Sequence, residues 1–272
     1  MAQTLRTLIF GDLVGVPGRV IFQKYSQHLR QQYDPDMLIV NGENSSSTGR
    51  GITPRIMKFL KHNGANIVTS GNHIFSKRDI YEYLDHNDDL LRPLNFPSEC
   101  PGKGVTTVTI GDTIVGVINV QGRIYMREML SCPFKSVASA LTYLKSKTNI
   151  IIMDMHTETT SESSALGYHF DGSVSICYGT HTHIQTADAR ILPQGTGYIT
   201  DAGMAGSLNS ILGMNANTII YGMQTQMPVK FSVETKPPYV ISGLLADIDI
   251  ESGKCTWIEP FRIVDHELSI DG

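Results

Sequence analysis

Short apolar runs that alternate with amphipathic stretches constrain this chain more than any other feature. The runs TLIFGD (7–12), MLIVNGEN (37–44), NIVTSGNH (66–73), IVGVINVQG (114–122), NIIIMDMH (149–156) and VSICYGTHTH (174–183) read as buried strands, and each ends in small or polar residues. Between them, Thr53 to Lys61 opens on a Thr-Pro helix start, and Phe134 to Lys147 carries Val137, Leu141 and Leu144 at helical spacing. Strands alternating with helices predict an α/β layered fold built on a largely parallel sheet. Two further strand-like runs between Tyr239 and Val264, VISGLLADIDI and CTWIEPFRIV, are expected to complete or pack against it. Without an internal repeat or a linker, the reading is one domain over 1–272 with an inserted or capping segment around 205–238.

A chain of 272 residues with 41% hydrophobic and 18% charged residues buries a substantial core and lies outside the composition of disordered segments. Its formal net charge is −4, from 26 acids against 22 bases, and no block of like charges offers a footprint for a nucleic-acid polymer. Cys100, Cys132, Cys177 and Cys255 stand far apart without a C-x-x-C pair, so reduced thiols are expected rather than a disulfide framework or a structural zinc site. The N-terminal apolar run is too short for a signal peptide, and nowhere do eighteen apolar residues follow one another. The expectation is a cytoplasmic protein without a membrane partner; a homo-oligomer is left open.

In open α/β sheets, active groups gather beyond the carboxyl ends of strands. Asp12, Glu43, Asn44, Asn72, His73, His156, His181 and His183 all fall there. Singly, each reads as a helix cap, a polar turn or an interior histidine. Together they are oxygen and nitrogen donors without a thiolate, suited to manganese, iron or zinc, and too many for one ion. In an extended G-T-H-T-H segment, His181 and His183 would point to one side with Cα atoms roughly 6–7 Å apart, close enough to serve two metals about 3.5–4 Å from each other. Each would hold one ion, and the two oxygens of Glu43 make it the natural shared ligand. Two divalent cations against Asp12 and Glu43 leave a surplus of about two positive charges, or about one with a metal-held hydroxide, which attracts a phosphate.

The order of these motifs carries a resemblance. FGDLVGVPGR (10–19), VNGENSSSTGRGIT (40–53), SGNHIFSKRDI (70–80), RPLNFP (92–97), MDMHTETTSE (153–162), YGTHTHIQTAD (178–188) and RILPQGTGYITDAGM (190–204) resemble the calcineurin-like metallophosphoesterases, and more narrowly their bacterial YmdB-like branch. The resemblance covers nearly all of the chain to about residue 215. It implies a layered metallophosphoesterase-like fold, with central mostly parallel or mixed β-sheets flanked by helices, and two divalent metal ions, iron or manganese before zinc. It further implies that Asp12, Glu43, Asn44 and His183 form one metal site, that Glu43, Asn72, His156 and His181 form the other, and that His73 sits over the substrate phosphate, off the metals.

Two departures from the superfamily pattern follow. Leu13 and Val14 stand where many members carry D-x-H, so Asn44 is the expected substitute for an imidazole. Ile74 stands where many have an acid after GNH, which leaves Asp79 or Glu158 as candidate partners for His73. The leading expectation is a dinuclear phosphodiesterase that opens small phosphodiesters, 2′,3′- or 3′,5′-cyclic nucleotides, by a metal-activated hydroxide. The alternatives are a phosphomonoesterase or nucleotidase with the same site, and a metal-stiffened regulatory module that binds a nucleotide or protein without turnover. Arg19, Arg50, Lys103 and Arg123 are candidate phosphate contacts that read equally as surface positions. His28, His62, His86, His169 and His266 read as surface or packing residues. Residues that hold the rest of the substrate are not legible.

Overall fold

The computed structural model describes residues 3–270. In its first half the chain runs through β1 (Thr4–Leu13), α1 (Gly15–Tyr33), β2 (Met37–Asn41), α2 (Pro54–His62), β3 (Ile67–Thr69) and, after two short 3-10 turns, α3 (Tyr81–His86). There follow β4 (Val105–Ile110), β5 (Thr113–Gln121), α4 (Pro133–Leu144), β6 (Ile150–His156), α5 (Thr160–His169) and β7 (Ile176–Thr180). Last come β8 (Arg190–Ile191), β9 (Gly197–Ile199), β10 (Met204–Ser207), α6 (Ala216–Thr225), β11 (Tyr239–Asp249) and β12 (Cys255–Asp265).

Among the described residues these strands form two six-stranded sheets, ordered β12-β11-β10-β1-β2-β3 and β4-β5-β6-β7-β9-β8. The inner strands of both are parallel, whereas β11, β12, β4 and β8 run antiparallel to their neighbours. Alternation along β1 shows why the runs read as uniformly apolar. Leu8 and Phe10 pack outward with Phe22 of α1 and Leu60 of α2, while Leu5 and Ile9 pack inward with Ile152 and Tyr178 of the second sheet. The outer face of that sheet buries Ile118, Ile151 and Met153 beneath Val137, Leu141 and Leu166. Helices, sheet, sheet and helices therefore stack in layers, and each large aliphatic residue so buried contributes about 1.5–3 kcal/mol. The two late runs complete the first sheet as β11 and β12, as expected.

The two sheets are stitched where β9 of one hands the chain to β10 of the other. Between them, residues 200–203 cross the ends of β1 and β7, with the Asp12 amide donating to the Gly203 carbonyl at 3.0 Å and the Ala202 amide to the Gly179 carbonyl at 2.8 Å. A Cβ on Gly11 would fall on the carbonyl oxygen of Gly203, and one on Gly179 on that of Thr200. Glycine at these two positions lets the crossing backbone approach both strand ends. The carboxyl ends of β1–β3 and β5–β7 are thereby brought to one edge. Within the stretch 205–238, β10 belongs to the first sheet and α6 lies in the excursion that follows; the Leu212 carbonyl of that excursion reaches His183. No helix among the described residues is long and apolar enough to cross a membrane.

Candidate metal centre

All eight strand-end residues converge on this edge. Asp12 lies near the end of β1, Glu43 and Asn44 follow β2, Asn72 and His73 follow β3, His156 is the last residue of β6, and His181 and His183 follow β7. The expected extended geometry of the histidine pair is not found. β7 stops at Thr180, and His181 and His183 both have positive φ, 101° and 64°. Such backbone costs about 1–3 kcal/mol per residue and persists only where its surroundings hold it. Here Asp12 Oδ2 accepts the His181 amide at 3.0 Å, and Asp201 Oδ2 accepts the amide and hydroxyl of Thr182 at 3.0 and 2.8 Å. Two carboxylates fold the segment over, and both imidazoles enter the cluster by a turn rather than along one face of a strand.

The contacts fall into two groups that share Glu43. In the first, Asn44 Nδ2 lies 3.1 Å from Glu43 Oε1, 3.1 Å from His183 Nε2 and 3.5 Å from Asp12 Oδ1. In the second, His156 Nε2 lies 3.1 Å from Asn72 Oδ1, 3.1 Å from His181 Nδ1 and 3.2 Å from Glu43 Oε1. A ring nitrogen carries at most one proton and an amide nitrogen two, so the three contacts of Asn44 Nδ2, or of His156 Nε2, cannot all be full hydrogen bonds at once. Glu43, His156 and His181 place donor atoms within 4.8 Å of one another, a spacing that suits a shared cation. His73 joins through its backbone, donating its amide to Glu43 Oε2 at 3.1 Å.

The outward nitrogens of the three imidazoles are each committed elsewhere. His156 Nδ1 meets Thr180 Oγ1 at 2.9 Å, and that hydroxyl spends its proton on Asp154 Oδ1 at 2.7 Å, so the imidazole is the donor. His183 Nδ1 donates to the Leu212 carbonyl at 2.9 Å, and His181 Nε2 to Glu158 Oε2 at 2.7 Å. In the neutral form of each ring the remaining lone pair would face the cluster, the arrangement by which outer partners prepare a histidine to bind metal.

Charge balance points the same way. Asp12, Glu43, Asp154 and His156 are almost wholly buried, and among the described residues no lysine or arginine forms an ion pair with Asp12, Glu43, Asp154 or Asp201. Burial pushes Asp154 up to about 6 and, helped by the neighbouring acids, Asp12 and Asp201 up to about 7. Burial acts on Glu43 in the same sense, but the charge of His156 outweighs it and holds the carboxyl below its usual range. For His156, burial is outweighed by the pull of Glu43, which raises the imidazole; the proton it gains sits on the nitrogen a cation would take. Burial and the neighbouring His156 push His181 down to about 3, and burial lowers His183, which keeps both lone pairs free. A buried acid cluster without lysine or arginine, in which His181 and His183 are neutral and His156 carries a proton where a cation would sit, fits divalent metal.

Sequence reasoning missed the supporting shell. Asp154 accepts from Thr69, Thr180 and Asn41, and Asp201 holds the turn between the histidines. Asp154 was findable as the lone carboxylate in an apolar run, two residues before His156 and so on the same side of the strand. Glu158 lies on His181 rather than on His73, while Asp79 is exposed in a 3-10 turn. Of the four basic candidates, Arg50 is close enough for its charge to act on His73, Arg19 donates to the Ser45 carbonyl, and Lys103 pairs with Asp88 at the surface. We predict that Glu158→Ala lowers metal affinity by about 10–100-fold with little change in melting temperature, since an exposed carboxylate fixes the tautomer of His181. Competition with a chelating dye measures this, and an affinity unchanged within twofold contradicts it.

The chain as a whole is similar to several known proteins. The family model described as YmdB-like protein matches residues 8–261. The chain is 42% identical over 264 residues to the 2′,3′-cyclic-nucleotide 2′-phosphodiesterase of Bacillus subtilis (strain 168), covering 97% of this chain and 99% of that protein. A crystal structure of a novel phosphatase from Mycoplasma pneumoniae superposes with a TM-score of 0.91 at 33% identity, over 98% of this chain and 95% of that one. A crystal structure of a hypothetical protein from Thermus thermophilus gives a TM-score of 0.88 at 32% identity, over 96% and 100% of the respective chains.

Proposed function

The chain belongs to the YmdB-like family, and on that premise we propose that it is a dinuclear, metal-dependent phosphodiesterase that opens 2′,3′-cyclic nucleotides. The observation that carries this reading is the set of three imidazoles, each with its outer nitrogen bound to an acceptor and its inner nitrogen in the cluster around the buried acids, His156 and His181 grouped with Glu43 and His183 beside Asp12. Asp12, Glu43, Asn44 and His183 would hold one ion, and Glu43, Asn72, His156 and His181 the other. Asn44 would offer Oδ1, which exchanges places with Nδ2 by a half-turn of the amide. Donors without thiolate suit iron or manganese, with zinc also accommodated. When bound, the cations neutralise charge on phosphate oxygens and make water acidic enough to act as a nucleophile near neutral pH.

The chain's own residues do the rest. Glu43 fixes the backbone of His73 and would offset the mutual repulsion of two cations held beside it. The imidazole of His73 is half-buried and bound to none of the other donors, which leaves it to hydrogen-bond the phosphoryl group and to hand a proton to the departing O2′. In the net reaction the P–O2′ bond breaks, a water oxygen joins phosphorus, and a nucleoside 3′-phosphate leaves. We place this activity in the cytoplasm, where the four free cysteines would stay reduced.

The test is metal-reconstituted protein given 2′,3′-cyclic, 3′,5′-cyclic and monoester nucleotides. Opening of the 2′,3′-cyclic substrate to a 3′-monophosphate without free phosphate is expected. Phosphate released from monophosphates would make the protein a phosphomonoesterase, and metal binding without turnover would make it a binding module.

A further inference from the structure

We infer that the depression between residues 122–131 and helix α5 receives the nucleobase of the substrate. The assignment rests on the reading above, and four observations carry it.

The first is position. Both walls spring from the carboxyl ends of adjacent parallel strands, the loop from β5 and α5 from β6, at the edge where the metal centre lies. The Gly122 amide donates to the carbonyl of His156 at 2.9 Å, so the loop begins at a candidate ligand's own backbone. Glu128 accepts from buried Gln121 at 3.1 Å and lies close enough for its charge to act on His73. A base linked through ribose to a phosphate at His73 would extend toward this wall.

The second is size, about 710 Å³, ample for a nucleoside. The third is chemistry. Ile124, Met126, Phe134 and Ala165 offer apolar surface to the faces of a planar ring, while Glu128 and Arg123 present an acceptor and a donor to its polar edge. Ile124 is 45% exposed and Met129 wholly so. Large apolar side chains left open beside a polar catalytic edge mark a ligand surface. The fourth is rigidity. Glu162 of α5 accepts the amides of Arg123 and Ile124 at 3.0 and 3.1 Å, which pins the loop to the helix and keeps the depression formed before any ligand arrives.

The test uses Ala165→Trp, an exposed position on α5 where the indole fills the depression without entering the core, and Ile124→Ser on the opposite wall as a second variant. With metal-loaded protein, KM for 2′,3′-cyclic AMP should rise about tenfold or more, the loss of roughly 1.4 kcal/mol of contact. KM for a base-free methyl riboside 2′,3′-cyclic phosphate, and kcat for both substrates, should stay within twofold. Calorimetric titration supplies a readout independent of turnover: wild-type protein should bind adenosine 3′-monophosphate at least about tenfold more tightly than methyl riboside 3-phosphate, and Ala165→Trp should erase that preference. If the preference holds but nothing is hydrolysed, the activity assigned above fails and the base site stands. Equal affinities in the wild type, or variants in which both substrates change together, overturn the base site while leaving the activity untouched.

Discussion

Replacing His73 by alanine should lower kcat for a 2′,3′-cyclic nucleotide by about 10²–10⁴-fold, the range that a positioned proton donor contributes, with metal content and melting temperature close to wild type. The separation follows from how the residue is attached. Its tie to the centre is the backbone amide bonded to Glu43 Oε2, which alanine keeps. The imidazole contributes no donor to either group of contacts around Glu43, so its removal leaves both sets whole. KM should move little, because the lost interaction belongs to charge that develops as the P–O bond breaks. Rapid-quench kinetics beside elemental analysis of the same sample measures both quantities. A kcat within threefold of wild type at full metal loading would remove His73 from the chemistry.

Loss of Glu43 should be more severe and of a different kind. Its Oε1 stands 3.1 Å from Asn44 Nδ2 and 3.2 Å from His156 Nε2, so one atom belongs to both groups, and its charge offsets that of His156. On the proposed assignment Glu43→Ala would remove a ligand from both sites and take from buried His156 the carboxylate that raises it. We expect fewer than two ions retained and kcat lower by at least about 10³-fold, the several kcal/mol that metal-borne charge stabilisation supplies. Glu43→Gln keeps the shape and one oxygen but not the charge, and separates the two effects: if charge is what holds the pair together, it should behave like the alanine variant. Either variant retaining both ions and activity within tenfold of wild type would contradict the shared-ligand assignment.

Much of this was legible because the strands are buried on both faces. Residues such as Ile9 and Phe10 face different layers, yet both must be apolar, and the run announces itself. The short strands were not legible for the opposite reason. β8 is an exposed Arg190–Ile191 pair and β10 is Met204–Ser207, mostly small residues whose pairing is imposed by the crossing of 200–203 rather than by any period of their own.

The membership of the eight-residue cluster was readable from their recurrence at strand ends. Its geometry was not. Histidine gives no outward sign of the left-handed backbone that His181 and His183 adopt, since the carboxylates enforcing it, Asp12 and Asp201, come from segments far away in sequence. Glu158 likewise declares itself only once folding sets it on His181. Outer partners are tertiary facts, and spacing along one chain does not contain them.

Two cations would share Glu43, and elemental analysis of wild-type protein reconstituted with manganese or iron and freed of loosely held metal tests this most directly. Two ions per chain, falling below two in Glu43→Ala, is the predicted result. A single ion per chain, or a count that Glu43→Ala leaves unchanged, would contradict it.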